Sequence, residues 1–207
     1  MQGEIRSSGG WQGITAANPE HSTWYRDRWK AMQAAGRDIF GEARFIDAMV
    51  GRGSRILDAG CGTGRVGGWL AAQGHQVVGV DIDPVLIEAA KQEYPDAEWL
   101  VGDLAELATL LAGQESFDAI VCAGNVMAFI VPEDRIRVLQ NFAAVTSTGG
   151  RVAVGFGAGR GYDFAEFLAD AEHAGLYQSL LLSTWDLLPM TPESNFLVAV
   201  LAGRFNG

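Results

Sequence analysis

The sequence predicts an α/β fold: a seven-stranded doubly wound sheet, mostly parallel with an antiparallel last strand, with helices on both faces and an N-terminal helical lid. Three observations carry this. The stretch Arg55-Ile-Leu-Asp-Ala-Gly-Cys-Gly-Thr-Gly-Arg65 reads as a buried strand, a tight glycine turn and the start of a helix. Apolar runs of strand length then alternate with helix-patterned segments, as parallel strands joined by crossover helices require. The last two runs, 177–185 and 195–201, are joined by a proline-bearing loop too short for a crossover helix, so they pair antiparallel.

Residues 1–22 form an expected mobile arm: the first twenty carry four glycines among small polar residues. Trp11 and Ile14 are expected there only in surface packing. The rest, 23–207, reads as one domain with a helical lid over 23–50 and a core over 51–207. Gly36 and Gly41 divide the lid into two helices, the second starting near Asp38 as its cap. After the glycine turn, a helix from Arg65 stops at Gly74. Gln76–Asp81 is the second strand, and Asp83-Pro84 opens a helix, with Asp as N-cap and Pro where its missing N–H costs nothing. Glu98–Val101 is the third strand, followed by Asp103 as a candidate cap for a helix over 104–111. The fourth strand is 116–122. Pro132 opens a helix to Val145 with Ile136, Leu139, Phe142 and Ala143 as its apolar stripe. Arg151–Phe156 is the fifth strand, and the glycine-rich loop to Tyr162 brings Arg160 to the edge where ligands bind in open α/β sheets. Asp163 caps a helix stopped by Gly175.

Composition bounds the partners. The chain has 207 residues, 48% of them hydrophobic, and a formal net charge of −10. That is enough apolar content for one real core. It argues against a nucleic-acid partner, which would demand clustered Lys and Arg. The two cysteines, Cys61 and Cys122, make no disulfide framework. No apolar run reaches membrane length, so no membrane partner is expected and a soluble, cytoplasmic protein is. The sequence does not fix the oligomeric state.

The strand–turn–helix at 55–74 presents bare backbone and a helix N-terminus to a nucleotide-like ligand. Gly62, Gly64 and Gly67 satisfy G-x-G-x-x-G with Asp81 near the distance of a ribose-binding acid, so a dinucleotide site stays open. Asp58 leading into Gly60-x-Gly62-x-Gly64, however, resembles motif I of the class I S-adenosylmethionine-dependent methyltransferases. The resemblance runs from about Ile56 to Leu201. It implies a cofactor, S-adenosyl-L-methionine, with S-adenosyl-L-homocysteine as product. It also implies roles: Asp58, Gly60, Cys61 and Gly62 as the turn around the cofactor, Asp81 for the ribose hydroxyls, and the backbone at Ile82 near the adenine. Asp103 would accept the adenine amino group and the Leu104 N–H would meet a ring nitrogen. Backbone carbonyls near Ala123 would receive the methionine ammonium.

The same resemblance places Asn125, Met127 and Phe129 toward the substrate. Trp24 and Tyr25 of the lid, and Arg160 as a carboxylate ligand, are further substrate-pocket candidates. The segment after strand four lacks the Asn-Pro-Pro-Tyr or Asp-Pro-Pro-Tyr signature of enzymes that methylate base or glutamine nitrogens. It also lacks an acidic cluster, so no metal is predicted. Of the three histidines, His75 falls at the wrong end of the sheet, His173 late in a helix, and only His21 lies beside the lid aromatics; no catalytic residue is assigned. The expected function is methyl transfer to a small molecule. The alternatives are a non-catalytic S-adenosylmethionine-binding protein of the same fold and an NAD-dependent oxidoreductase. Asp58, Asp103 and the reversed last strand speak against the second.

Overall fold

A computed structural model describes residues 10–203. Three helices come first: α1 (Gly10–Ala17), α2 (His21–Ala34) and α3 (Gly41–Met49). The core then alternates β1 (Arg55–Ala59), α4 (Arg65–Ala72), β2 (Gln76–Asp81), α5 (Pro84–Glu93), β3 (Glu98–Val101), α6 (Leu107–Leu110), β4 (Phe117–Cys122) and α7 (Val126–Phe129). It closes with α8 (Arg135–Val145), β5 (Thr146–Gly157), α9 (Phe164–His173), β6 (Leu176–Leu182) and β7 (Phe196–Gly203).

The seven strands are ordered β3-β2-β1-β4-β5-β7-β6. β1 pairs in parallel with β2 and β4, whereas β7 runs antiparallel to both β5 and β6. The expected sheet with one reversed strand is therefore the observed one. Strand order reverses between β1 and β4, which opens a crevice beyond their C-terminal ends.

Alternation along the central strands explains why both faces are covered. Leu57, Ala59, Ile120, Cys122, Val152 and Val154 join one core cluster with Leu139 and Phe142 of α8 and Phe167 of α9. Ile56, Ala119, Val121 and Ala153 point the other way, onto Ala43 and Ile46 of α3 and Val66 and Leu70 of α4. Buried parallel strands read as continuous apolar runs for this reason. Among the described residues, no helix is long and apolar enough to cross a membrane.

Several boundaries differ from the expectation. Within the expected arm, Gly10–Ala17 are helical and α2 begins at His21, while residues 1–9 of that arm lie outside the described residues. Asp38 does not cap α3: the helix begins at Gly41, and the Asp38 carboxylate instead accepts the Phe40 N–H and pairs with Arg44. That pairing holds the Asp38 carboxyl down at about 2. Pro132 opens a single 3-10 turn, and α8 starts only at Arg135, so Val138, Leu139 and Phe142 form the buried stripe and Ile136 is half-exposed. By contrast, the predicted caps at Asp83 and Asp163 accept the Val85 and Ala165 N–H groups, each at 2.8–2.9 Å.

Candidate functional site

A cavity of about 650 Å³ lies beyond the C-terminal ends of β1, β2, β3 and β4. Its size falls within the usual range for small-ligand sites. One wall is the turn after β1, with Gly60 and Gly62; beside it stand Asp81 and Ile82 from the end of β2 and Gly102, Asp103 and Leu104 after β3. Gly124, Val126, Phe129 and Ile130 after β4 form the opposite wall, and Trp11 of α1 and Tyr25 of α2 line the cavity from the N-terminal helices.

The turn is held from within by carboxylates. Asp58 lies at 3% exposure near the end of β1 and accepts the Gly67 N–H at 2.8 Å, pinning the first turn of α4 to the strand. Burial pushes its carboxyl up to about 7, opposed by that N–H and by the Arg65 charge. Asp81 accepts the Gly62 N–H at 2.8 Å on one oxygen and the Asp83 N–H at 2.9 Å on the other. Burial raises it to about 6, against the pull of those two backbone donors. Each Asp81 oxygen keeps a lone pair for a donor in the cavity, since a carboxylate offers about four acceptor positions.

Gly60 shows why the turn needs glycine. Its φ is +75°, and a Cβ there would lie 2.4 Å from the Val126 Cγ2. A side chain would therefore both strain the backbone and push the β1 turn away from the segment after β4. Asp103 accepts the Ala105 N–H at 2.9 Å and so caps the short 3-10 turn 104–106 while remaining in the cavity wall.

The residues expected around an adenosyl group thus fall into two layers. Gly60, Gly62, Asp81, Ile82, Asp103 and Leu104 line the cavity directly. Asp58, Cys61 and Ala123 are buried behind that wall; Asp58 acts through the Gly67 N–H, and the Cys61 thiol is packed on Ile87, Ala90 and Trp99. Burial raises the Cys61 thiol well above its ordinary range, so it is a packing group.

The residues expected on the substrate side are dispersed. Tyr25 and Phe129 line the cavity. Met127 does not: it is fully buried in the core cluster with Phe142 and Phe156, because α7 is a single helical turn whose inward face it occupies. Trp24 is 56% exposed on the outer side of α2, one residue out of phase with the inward Tyr25. Asn125 sits in the left-handed region at φ 68°, and its side-chain oxygen accepts the Gly157 N–H at 2.8 Å, so it ties the tip of β4 to the end of β5. Arg160 is exposed on the loop after β5, outside the cavity wall. His21 lies between Trp11 and Trp24, with ring centroids 5.0 and 5.3 Å away, and is not part of the wall. His75 is buried with its Nε2 2.9 Å from Asp47, at the N-terminal end of β2. Among the described residues, no group of three or more His, Cys, Asp or Glu is placed to hold a metal ion.

Trp11 corrects the expectation of simple surface packing. Its indole stands edge-on to Tyr25 at 5.4 Å and to Phe129 at 5.7 Å, and its Nε1 donates to Asp83 at 2.8 Å. Sequence reasoning missed this because Trp11 lies in a glycine-containing segment with no apolar period. The available signal was its company, an exposed-looking Trp followed by the His21–Tyr25 aromatic group.

Comparison with known proteins places the chain in a family. A family model described as a methyltransferase domain matches residues 56–150. The crystal structure of a TehB-like S-adenosylmethionine-dependent methyltransferase from Corynebacterium glutamicum is 50% identical and aligns over 90% of this chain and 100% of its own, with a TM-score of 0.86. A magnesium-protoporphyrin O-methyltransferase from Rhodobacter capsulatus is 40% identical over 86 residues, covering 39% of this chain and 36% of the relative. A mouse 18S rRNA (guanine-N(7))-methyltransferase is 35% identical over 76 residues, 37% of this chain and 26% of the relative. The chain therefore spans well under half the length of either curated relative.

Proposed function

This chain belongs to the S-adenosylmethionine-dependent methyltransferases, and from that premise we propose that it methylates a small molecule admitted beneath α1 and α2. The observation that carries the reading is a pair of rings from the N-terminal helices: Trp11 and Tyr25 line the same cavity as Asp81 and Asp103. An acceptor has to reach the cavity past those two rings, which favours a small one. A net charge of −10 also opposes a polyanionic acceptor. This favours the chemistry named for the protoporphyrin O-methyltransferase over that named for the rRNA enzyme, although both are relatives.

The residues present fit the adenosyl group by their donor and acceptor set. Asp81 offers free lone pairs to ribose hydroxyls, and Asp103 and the Leu104 N–H stand one strand over for the adenine edge. Gly62 leaves the turn's backbone bare beneath Tyr25: a Cβ there would take up space 3.4 Å from the Tyr25 ring. When bound, S-adenosylmethionine supplies a methyl group already activated by the positive sulfur. The chain's own task is orientation and exclusion of water. Asp58 and Asp81 hold the turn by its backbone N–H groups, and Asn125 fixes the tips of β4 and β5 relative to one another. Trp11, Tyr25 and Phe129 supply apolar surface to the cavity. Burial raises the Tyr25 hydroxyl above its ordinary range, so it stays protonated and acts as a hydrogen-bonding and packing group. No base is assigned, since an acceptor that arrives with a free lone pair requires none. A cytoplasmic setting accords with two buried free cysteines.

The test is to incubate the protein with methyl-labelled S-adenosylmethionine and, separately, a low-molecular-weight cell extract and total RNA. Label transferred to the small-molecule fraction is the expected result. Label on RNA alone would overturn the proposal.

A further inference from the structure

Asp83 makes more bonds than a helix cap needs. One oxygen accepts the Val85 N–H at 2.9 Å and the Leu86 N–H at 3.4 Å, which caps α5. The other accepts the Trp11 indole N–H at 2.8 Å and the Ser22 hydroxyl. Asp83 is 5% exposed and Ser22 4%, so these bonds are formed out of water, where a charged acceptor is worth most. Meanwhile the Asp83 N–H donates to Asp81, whose other oxygen holds Gly62. A short relay therefore runs from the first turn of α1, through Asp83, to the acid expected to grip the ribose.

The rest of α1 is held lightly. None of its residues is buried, and its other close contacts are with α2, where Trp11 meets the His21 and Tyr25 rings, and with α7, where Gly10 approaches the Phe129 carbonyl and Trp11 meets the Phe129 ring. Gly10, Trp11 and Gln12 lie across the cavity between its two walls. While Trp11 is bonded to Asp83, the first turn of α1 stays over part of the cavity. We propose that Asp83 is a positioning residue that latches α1 shut over the cofactor cavity through Trp11, and α2 through Ser22, so that cofactor exchange requires the Trp11–Asp83 bond to break. This rests on the assignment of the cavity to S-adenosylmethionine.

Two variants separate the latch from the cap. In Asp83→Asn the side-chain oxygen still accepts from Val85 and Leu86, but an NH2 group replaces the acceptor facing Trp11. In Trp11→Phe the ring stays and the donor is lost, with the cap untouched. The readouts are the dissociation rate of S-adenosylhomocysteine and amide hydrogen exchange across 10–17 in the unliganded and liganded protein. Both variants should release S-adenosylhomocysteine about tenfold or more faster, the effect of losing one hydrogen bond to a charged group. Both should exchange faster across 10–17, and the double variant should be no faster than Asp83→Asn alone, because the bond removed by Trp11→Phe is already lost there. Release and exchange unchanged in Trp11→Phe would overturn the latch, as would a loss confined to melting temperature. If the native protein does not bind S-adenosylhomocysteine, the cofactor assignment fails. Exchange across 10–17 in the unliganded variants then still decides whether Asp83 holds α1.

Discussion

The two sides of the cavity were built by different means. On the side of β1, β2 and β3, the ligand-facing groups are strand tips: a glycine turn, Asp81 and Asp103 each end or follow a strand whose register is fixed by parallel pairing. On the side of β4, α7 and the lid, they are side chains on helices, and which of them face inward depends on helical phase and docking. Asp81 therefore lines the cavity as its position at a strand end dictates, whereas Trp24 and Tyr25 are adjacent in sequence and only Tyr25 does so. Backbone-defined recognition is local, whereas side-chain recognition by packed helices is non-local.

The largest effect that would sharpen this contrast is at Gly60. In Gly60→Ala the new Cβ would lie 2.4 Å from Val126 at a φ of +75°. Strain at such a position costs on the order of 1–3 kcal/mol. Thermal denaturation should show a loss of about 2–4 °C per kcal/mol, and titration should show adenosyl binding weakened with it. A Gly60→Ala protein that binds and melts like the native one would show that the turn has no need of glycine.

Next comes pH, where Asp58 and Asp81, both raised by desolvation, make opposite demands. In the proposed complex a ribose hydroxyl donates to ionised Asp81, so binding would favour the carboxylate and release a proton. Affinity for S-adenosylhomocysteine should therefore fall below about pH 6, by at most about tenfold per pH unit. Asp81→Asn should flatten that profile. Asp58 works the other way. Its folded-state value, about 7, lies above that of an exposed aspartate, so its stabilising contribution is full at acid pH and is lost as pH rises through about 7. Asp58→Asn keeps an acceptor for Gly67 and cannot ionise. Its melting temperature relative to the native protein should rise between pH 5 and pH 8, and a constant difference would contradict the assignment.

The smallest effects belong to the lid surface. Trp24→Ala and Arg160→Ala should change stability by no more than about 0.5 kcal/mol and leave turnover unchanged. Phe129→Ala, in the wall, should raise the acceptor KM. Equal effects at the exposed and the cavity-lining positions would erase the distinction between the two sides.

This contrast also explains what was legible in the sequence. The strands over 76–81 and 98–101, the caps at Asp83 and Asp163, and the reversed last strand were readable because each rests on a short local signal. Met127 was misplaced because a helix of one turn carries no period from which to read its inward face. The Asn125 side chain was expected in the pocket but is consumed by the Gly157 N–H, a contact 32 residues away that no local pattern encodes. Trp11 and Ser22 meet Asp83 across 72 and 61 residues; only the folded chain shows that a helix cap is also a fastening for the lid.

The strand-tip frame around Asp81 is proposed to bind an adenosyl cofactor. Calorimetric titration of the cofactor-stripped protein and its Asp81→Ala variant with S-adenosylmethionine, S-adenosylhomocysteine and NAD tests it most directly. Both adenosyl ligands should bind the native protein, and binding should weaken by about 100-fold or more in the variant, as expected for hydrogen bonds lost to a charged acceptor. Tight NAD binding with no response to the adenosyl ligands would contradict the claim and return Gly62-x-Gly64-x-x-Gly67 to the role of a dinucleotide turn.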